Sequence, residues 1–133
     1  MVDSLIRAGA SVDIQNKSMG NTALILASDY GHGSIVDSLI RAGASLDIQN
    51  KSTGDTALIE ASNYGHGSIV DSLIRAGASL DIQDEIGNTA LILASCNGHG
   101  SIVDSLIRAG ASVDIQNKDG NTALILASSS GHG

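Results

Sequence analysis

Residues 21–54 read NTALILASDYGHGSIVDSLIRAGASLDIQNKSTG, and this stretch decides the fold because the chain repeats it. Residues 55–87 and 88–120 are further copies, residues 1–20 match its second half, and residues 121–133 match its first half. The triplet Gly-His-Gly sets the register, with histidines at positions 32, 66, 99 and 132. A period of roughly 33 residues indicates a stack of units, each too small to bury its own apolar face. We therefore expect one domain over residues 1–133.

Each copy carries the local signals of two helices. Thr22 is a good N-cap for a first helix, and Gly31 suits its end because glycine tolerates the left-handed conformation. Ser34 is the expected cap of a second helix, whose apolar residues from Ile35 to Ile40 form one stripe. The leucines of that stripe, Leu39, Leu73 and Leu106, are predicted to be buried between repeats.

An extended segment follows the second helix. Leu46 and Ile48 alternate with polar residues, which is the period of a strand, and residues 50–54 have turn chemistry. The unit predicted from sequence is therefore helix, turn, helix and extended β-hairpin.

This unit resembles the ankyrin repeat. The family pattern of glycine, any residue, then T-P-L-H-x-A-A, is matched by residues 20–28, and Gly-His, Ile-Val, Leu-Ile and Gly-Ala follow between Gly31 and Ala44. Two departures recur, since alanine replaces the family's proline (Ala23, Ala57, Ala90, Ala123) and isoleucine its histidine (Ile25, Ile59, Ile92, Ile125). The resemblance implies an all-α solenoid of helix-turn-helix units joined by β-hairpin loops, with complete repeats at residues 21–54, 55–87 and 88–120 and half repeats at residues 1–20 and 121–133.

Composition narrows the function classes. The chain has 14 acidic and 7 basic residues and a net charge of −7, which argues against a nucleic-acid partner. Its apolar runs are too short to span a membrane. Cys96 is the only cysteine, so an internal disulfide is impossible, and a reducing, cytoplasmic location is favoured.

The copies differ from one another mainly in the first helix and at the hairpin tip, whereas residues 31–45, 65–79 and 98–112 are identical. By resemblance to ankyrin repeats, the variable positions line a concave surface where protein partners bind. The predicted protein-binding residues are Asp29, Tyr30, Lys51, Thr53, Asp55, Glu60, Asn63, Tyr64, Glu85, Ile86, Cys96 and Asn97. Tyr30 and Tyr64 are the best anchors, because they are large and amphipathic with few rotamers to freeze. Drift between recent duplicates explains the same differences without binding.

Metal binding and catalysis are disfavoured by the periodicity. Stacked helices lie about 8–10 Å apart, so neighbouring histidines of the ladder cannot share a zinc ion. Asp29, His32 and Ser34 look superficially like a hydrolase set, but His32 and Ser34 recur in every complete repeat. We expect no cofactor, no metal and no enzyme activity.

Three interpretations of function stay open. The first is a non-catalytic protein-binding scaffold. The second is a structural subunit that self-assembles head to tail into a filament or ring through its half-repeat ends, with Val2, Leu5, Ile6, Leu124 and Leu126 at the joint. The third is a synthetic, consensus-like stack without a natural partner.

Overall fold

The computed structural model describes residues 1–133, and it contains eight helices and no strand. This confirms the predicted all-α repeat fold. The helices are α1 (Val2–Arg7), α2 (Ala23–Asp29), α3 (Gly33–Arg41), α4 (Ala57–Tyr64), α5 (Gly67–Ala76), α6 (Ala90–Cys96), α7 (Gly100–Ala109) and α8 (Ala123–Ser129).

The helices form two layers. The first helices of successive repeats, α2, α4, α6 and α8, pack in a row, and the second helices, α1, α3, α5 and α7, pack in a parallel row behind them. One continuous core of 22 buried residues runs through the stack. Leu39 is 3 % exposed and Leu73 and Leu106 are 0 % exposed, which confirms their predicted burial between repeats. Because each unit packs on its neighbours, stability comes from interfaces along the row.

The N-caps of the first helices agree with those predicted from the sequence, and the N-caps of the second helices do not. Thr22 Oγ1 accepts a hydrogen bond from the Ile25 backbone N–H at 3.2 Å, as expected for an N-cap, and the equivalent threonines do the same. The prediction of Ser34 as N-cap was wrong. The helix α3 already begins at Gly33, because the His32 carbonyl accepts the Val36 N–H at 3.0 Å, and Ser34 lies within the first turn.

The predicted strands around Leu46 and Ile48 do not form. Two backbone bonds, from Asn50 N–H to Asp55 C=O at 2.9 Å and from Gly54 N–H to Asn50 C=O at 3.2 Å, close the tip of the loop between α3 and α4. A β-strand needs a ladder of backbone hydrogen bonds with a partner strand. Here side-chain hydrogen bonds hold the segment in place instead. Gln49 Nε2 donates to the Gly54 carbonyl at 2.8 Å and to the Gln83 carbonyl of the next loop at 3.1 Å.

The recurring histidines join one repeat to the next. The Nε2 atoms of His66, His99 and His132 lie 2.9–3.1 Å from the carbonyl oxygens of Asp29, Asn63 and Cys96, each in the preceding repeat. A Cβ atom added at Gly65, whose φ is +80°, would lie 2.8 Å from His99 Cε1. The glycine and the histidine therefore act together as a stacking contact.

Candidate functional site

A cleft of about 240 Å³ opens on the layer of first helices where α2 meets α4. It collects most of the predicted protein-binding residues from the first two complete repeats. Its lining residues from that prediction are Asp29, Tyr30, Thr53, Asp55, Glu60, Asn63 and Tyr64. Asp29 and Tyr30 come from the end of α2, Glu60 to Tyr64 from α4, and Thr53 and Asp55 from the loop before α4. Residues spaced i, i+3 and i+4 on a helix share one face, which is why these side chains meet.

Two carboxyl groups form the polar floor of the cleft. Asp55 and Glu60 are half-buried and lie within hydrogen-bonding reach of each other. Thr53 Oγ1 donates to Asp55 Oδ2 at 2.7 Å, whereas Asp55 Oδ1 is enclosed and has no hydrogen-bond partner. Two ionised carboxylates can only accept hydrogen bonds, so they cannot satisfy one another without a proton or a cation between them.

Burial and negative neighbours change the titration of these groups. Burial, followed by the hydrogen bond and charge of Asp55, raises the pKa of Glu60 to about 8. Burial also raises the pKa of Asp55, with Asp84 adding to the rise. The charge of Asp29 contributes to the raised pKa of Glu60 and, after burial, to that of Tyr64. Glu60 therefore holds a proton at neutral pH when nothing cationic occupies the cleft.

The two tyrosines flank this floor and present their rings to solvent. Tyr30 is 68 % exposed and Tyr64 is 56 % exposed. Each ring lies beside the histidine two residues later, with ring centroids 6.2 Å apart for Tyr30 and His32 and 6.5 Å apart for Tyr64 and His66. His66 is itself held by the Asp29 carbonyl. The cleft thus combines exposed aromatic rings with partly desolvated carboxyl groups.

A family model described as ankyrin repeats (3 copies) matches residues 1–84 of the chain and, in a second match, residues 59–133. The chain belongs to the ankyrin-repeat family. Ankyrin repeats are generally protein–protein interaction modules. A search of curated proteins found no match to the chain.

The other predicted binding residues of this ankyrin-repeat chain lie outside the cleft. Lys51, Glu85 and Ile86 are exposed at the loop tips, where backbone bonds of 2.9 Å connect each tip to the next. Asn97 Nδ2 donates to Asn63 Oδ1 at 2.7 Å, so it borders the cleft from the following repeat. The Sγ atom of the half-buried Cys96 lies 4.0 Å from Ser130 Oγ.

Some cleft residues of this ankyrin-repeat chain were not anticipated. Met19, Asn21, Ile25 and Leu26 also line the cleft. Ile25 is the same in every copy, and Asn21 and Leu26 carry the commonest residue at the positions that Asp55 and Glu60 occupy in the next repeat, so they were not chosen as site residues. Asp84 was missed because it acts on Asp55 across the boundary between two repeats. The contact between Asp55 and Glu60 had one signal in the sequence, since both acids replace uncharged residues in the same repeat.

The two end faces of the ankyrin stack expose apolar side chains. Leu5 is 56 % exposed at one end, and Leu124 is 75 % exposed at the other. Val2, Ile6 and Leu126 are half-buried. A broad cavity of about 860 Å³ lies beside α7 and α8, and Ile107, Val113 and Leu124 contribute to its wall.

The side chains considered above for metal binding and for catalysis are not brought together in this ankyrin-repeat chain. No set of three His, Cys, Asp or Glu side chains lies close enough to hold a metal ion. The His32 ring lies beside Tyr30, and no hydrogen bond joins the Asp29 carboxylate, the His32 ring and the Ser34 hydroxyl. No helix has the length and apolar character needed to cross a membrane.

Proposed function

We propose that the chain is a non-catalytic protein-binding scaffold whose contact surface is the cleft between α2 and α4 together with the neighbouring loop tips. One observation carries this proposal. Positions that differ between otherwise near-identical repeats, including both tyrosines, come together around a single cleft. Exposed tyrosines are among the residues that contribute most to binding at protein interfaces. Truncating one such anchor typically costs about 2 kcal/mol or more of binding energy, or roughly a thirtyfold loss of affinity.

Selection of binders from a displayed library of random peptides tests this function. We expect the enriched peptides to lose at least roughly tenfold in affinity for Tyr30→Ala and Tyr64→Ala. They should keep their affinity for Asp37→Ala and Asp104→Ala, whose side chains are exposed on the layer of second helices. Thermal melts of all four variants are the control for folding. Equal losses in the two groups, or enriched peptides that ignore both tyrosines, would contradict the assignment.

We propose head-to-tail association of two copies as the second candidate, because the end faces carry unpaired members of the same ladders that join the internal repeats. Asp81 Oδ1 accepts the Ser112 N–H at 3.0 Å, and Asp47 holds Ser79 in the same way. The next aspartate, Asp114, has no serine partner, and Ser11 at the other end has no aspartate.

Stacking Ser11 of a second copy on Asp114 would continue the ladder and cover the apolar end faces. This contact joins two different surfaces, so it would propagate into a filament unless rotation closes a ring. A second copy of the 133-residue chain is the occupant that these end faces fit, because it carries both halves of the ladder.

Light scattering and electron microscopy over a concentration series test this second candidate. We expect the mass to rise with concentration for the unchanged chain and to remain that of a monomer for Leu5→Glu or Leu124→Glu. Asp71→Lys, an exposed change on α5, is the control and should leave the association intact. A monomer at every concentration would rule it out, as would assemblies that survive both substitutions at the proposed joint.

A further inference from the structure

Asp55 and Glu60 are two of the positions where one repeat of this chain carries an acid and the other copies do not, and Asp29 and Asp84 are two more. The counterparts of Asp55 are Asn21, Asn88 and Asn121, and those of Glu60 are Leu26, Leu93 and Leu126. Leu93 and Leu126 pack against the core. Glu60 therefore replaces an apolar contact with a partly buried carboxyl group. Both exchanges occur in the same repeat, and the fold brings them within hydrogen-bonding reach of each other.

This pairing costs the fold stability when nothing occupies the cleft. Two ionised carboxylates in one partly desolvated place repel each other and burial disfavours their charged forms, so Glu60 keeps its proton near neutral pH and its ionisation costs stability. Asp29 on α2 and Asp84 ahead of α6 add further negative charge. The helix α6 has no charged residue, and the charged residues of α5, Asp71 and Arg75, are exposed on the other layer. No lysine or arginine of the chain lines the cleft.

The chain therefore places no cationic side chain in the cleft, although the cleft has room for one. Asp55 Oδ1 is enclosed, and apart from the proton that Glu60 holds in the empty cleft no group of the chain is placed to donate to it, whereas Thr53 Oγ1 donates to the other oxygen at 2.7 Å. The volume of about 240 Å³ lies below that of most pockets for drug-sized molecules and suits one side chain. The two tyrosine rings border the same space, and their faces attract cations.

We propose that this cleft binds one arginine side chain of a protein partner, with Asp55 and Glu60 pairing with the guanidinium group and Tyr30 and Tyr64 beside it. The inference rests on the proposed protein-binding function and names the chemistry of the partner. Arginine fits better than lysine because its planar fork bonds two carboxylate oxygens at once and stacks on aromatic rings. A metal ion does not fit, since no third ligand lies near enough.

Proton release should accompany this binding. The pKa of Glu60 is raised to about 8, so the empty cleft holds a proton near neutral pH. The guanidinium group favours the ionised carboxylate, and the proton leaves to solvent as the ion pair forms. Affinity should therefore rise with pH by up to about tenfold per pH unit below pH 8, and level off above it. Arginine itself stays charged over this range.

NMR titration with a capped hexapeptide, acetyl-Gly-Ser-Arg-Gly-Ser-Gly-amide, tests the proposal. The control peptide carries citrulline, which has nearly the same shape and no charge. The key variant is Asp55→Asn with Glu60→Leu, which restores the residues of the other repeats and is expected to fold. The matched control is Asp71→Asn with Asp104→Asn, which removes two carboxylates from the layer of second helices.

We expect shifted amide signals at Tyr30, Glu60 and Tyr64, and binding about tenfold tighter for the arginine peptide than for the citrulline peptide. The key variant should lose about tenfold in affinity and its dependence on pH, and the matched control should change by less than about twofold. Equal losses in both double variants would show a general attraction to the negative chain and overturn the proposal. So would an affinity that does not change between pH 6 and 8.

The failure of this inference is distinct from the failure of the proposed function. Selected library peptides that depend on Tyr30 and Tyr64 but contain no basic residue would overturn the arginine assignment and leave the binding function standing. Selected peptides that ignore both tyrosines would contradict the binding function itself.

Discussion

The helices α4 and α8 have nearly the same sequence, ALIEASNY and ALILASS, and very different surroundings. Leu58 of α4 is 1 % exposed, whereas its counterpart Leu124 of α8 is 75 % exposed. The same contrast separates Ile59, at 2 %, from Ile125, at 47 %. The helix α4 packs on α2, on α6 and on α5, the second helix of its own repeat, whereas the main partner of α8 is α6. In a linear stack, the helices packed around a residue decide whether it belongs to the core.

The largest effect should come from truncating the two leucines of this pair. Leu58→Ala should lower the free energy of unfolding by about 2–5 kcal/mol, because it leaves a cavity in a closely packed interface. Leu124→Ala removes the same atoms from a mostly solvated site and should cost less than about 0.5 kcal/mol. Urea denaturation followed by circular dichroism measures both values. Similar losses from the two substitutions would contradict the difference in burial.

Two glycines at the same position of the repeat allow the cost of backbone strain to be measured apart from the cost of a steric clash. Gly65 and Gly131 both have left-handed backbones, with φ of +80° and +79°, but only Gly65 lies against a histidine of the next repeat. Each change to alanine should cost about 1–2 kcal/mol from the backbone. Gly65→Ala should lose a further 1–3 kcal/mol or so, because its methyl group displaces the His99 ring. Equal losses in urea melts would show that this close approach is unimportant.

A smaller effect is expected at the position where α4 and α8 carry different residues, and here the substitution should stabilise the chain. Glu60 of α4 occupies the position of Leu126 in α8. Folding raises the pKa of Glu60 from its ordinary value of 4.5 to about 8, so the folded chain binds more protons than the unfolded chain between these values. The free energy of unfolding should therefore fall as pH rises from about 4.5 to about 8.

Glu60→Leu should remove this fall and stabilise the chain at pH 8. The gain is on the order of 1–2 kcal/mol, because the carboxyl group is only half-buried and solvent screens its charge. Melts of the unchanged chain and of Glu60→Leu at pH 5 and pH 8 measure the effect. Asp71→Leu, at an exposed site on α5, is the control: it keeps Glu60 and should show the same fall in stability between pH 5 and pH 8 as the unchanged chain. A wild-type chain that gains stability on going from pH 5 to pH 8 would contradict the assigned direction of the pKa shift.

The smallest effect concerns the histidines that join the repeats. His99 Nε2 lies 3.0 Å from the Asn63 carbonyl, while His32, in the first complete repeat, makes no such bond. His99→Ala should cost about 1 kcal/mol more than His32→Ala, which is the usual net value of a hydrogen bond between repeats. Hydrogen exchange of the amides in α4 and α6 should report the same loosening for His99→Ala only. Equal effects of the two changes would show that the stacking bond adds nothing.

Much of the fold could be predicted from the sequence because its signals are local and repeated. The cap at Thr22, the stripe that contains Leu39 and the period of the Gly-His-Gly triplet each follow from a few neighbouring residues. The errors came where a choice depended on atoms farther away. The N-cap of α3 is His32, two residues before the predicted Ser34, and the segment around Leu46 has no partner strand with which to form a ladder.

For the candidate site, the order of the amino acids is enough to show which positions differ and that each triplet of them shares a helical face. It also shows that both acids fall in the second complete repeat. Only the tertiary structure decided that Asp29 and Tyr30 of one repeat meet Glu60 and Tyr64 of the next around one cleft. The same is true of the raised pKa of Glu60 and the enclosed oxygen of Asp55. Desolvation and charge repulsion depend on distances between side chains of different repeats, and a local pattern contains no such distances.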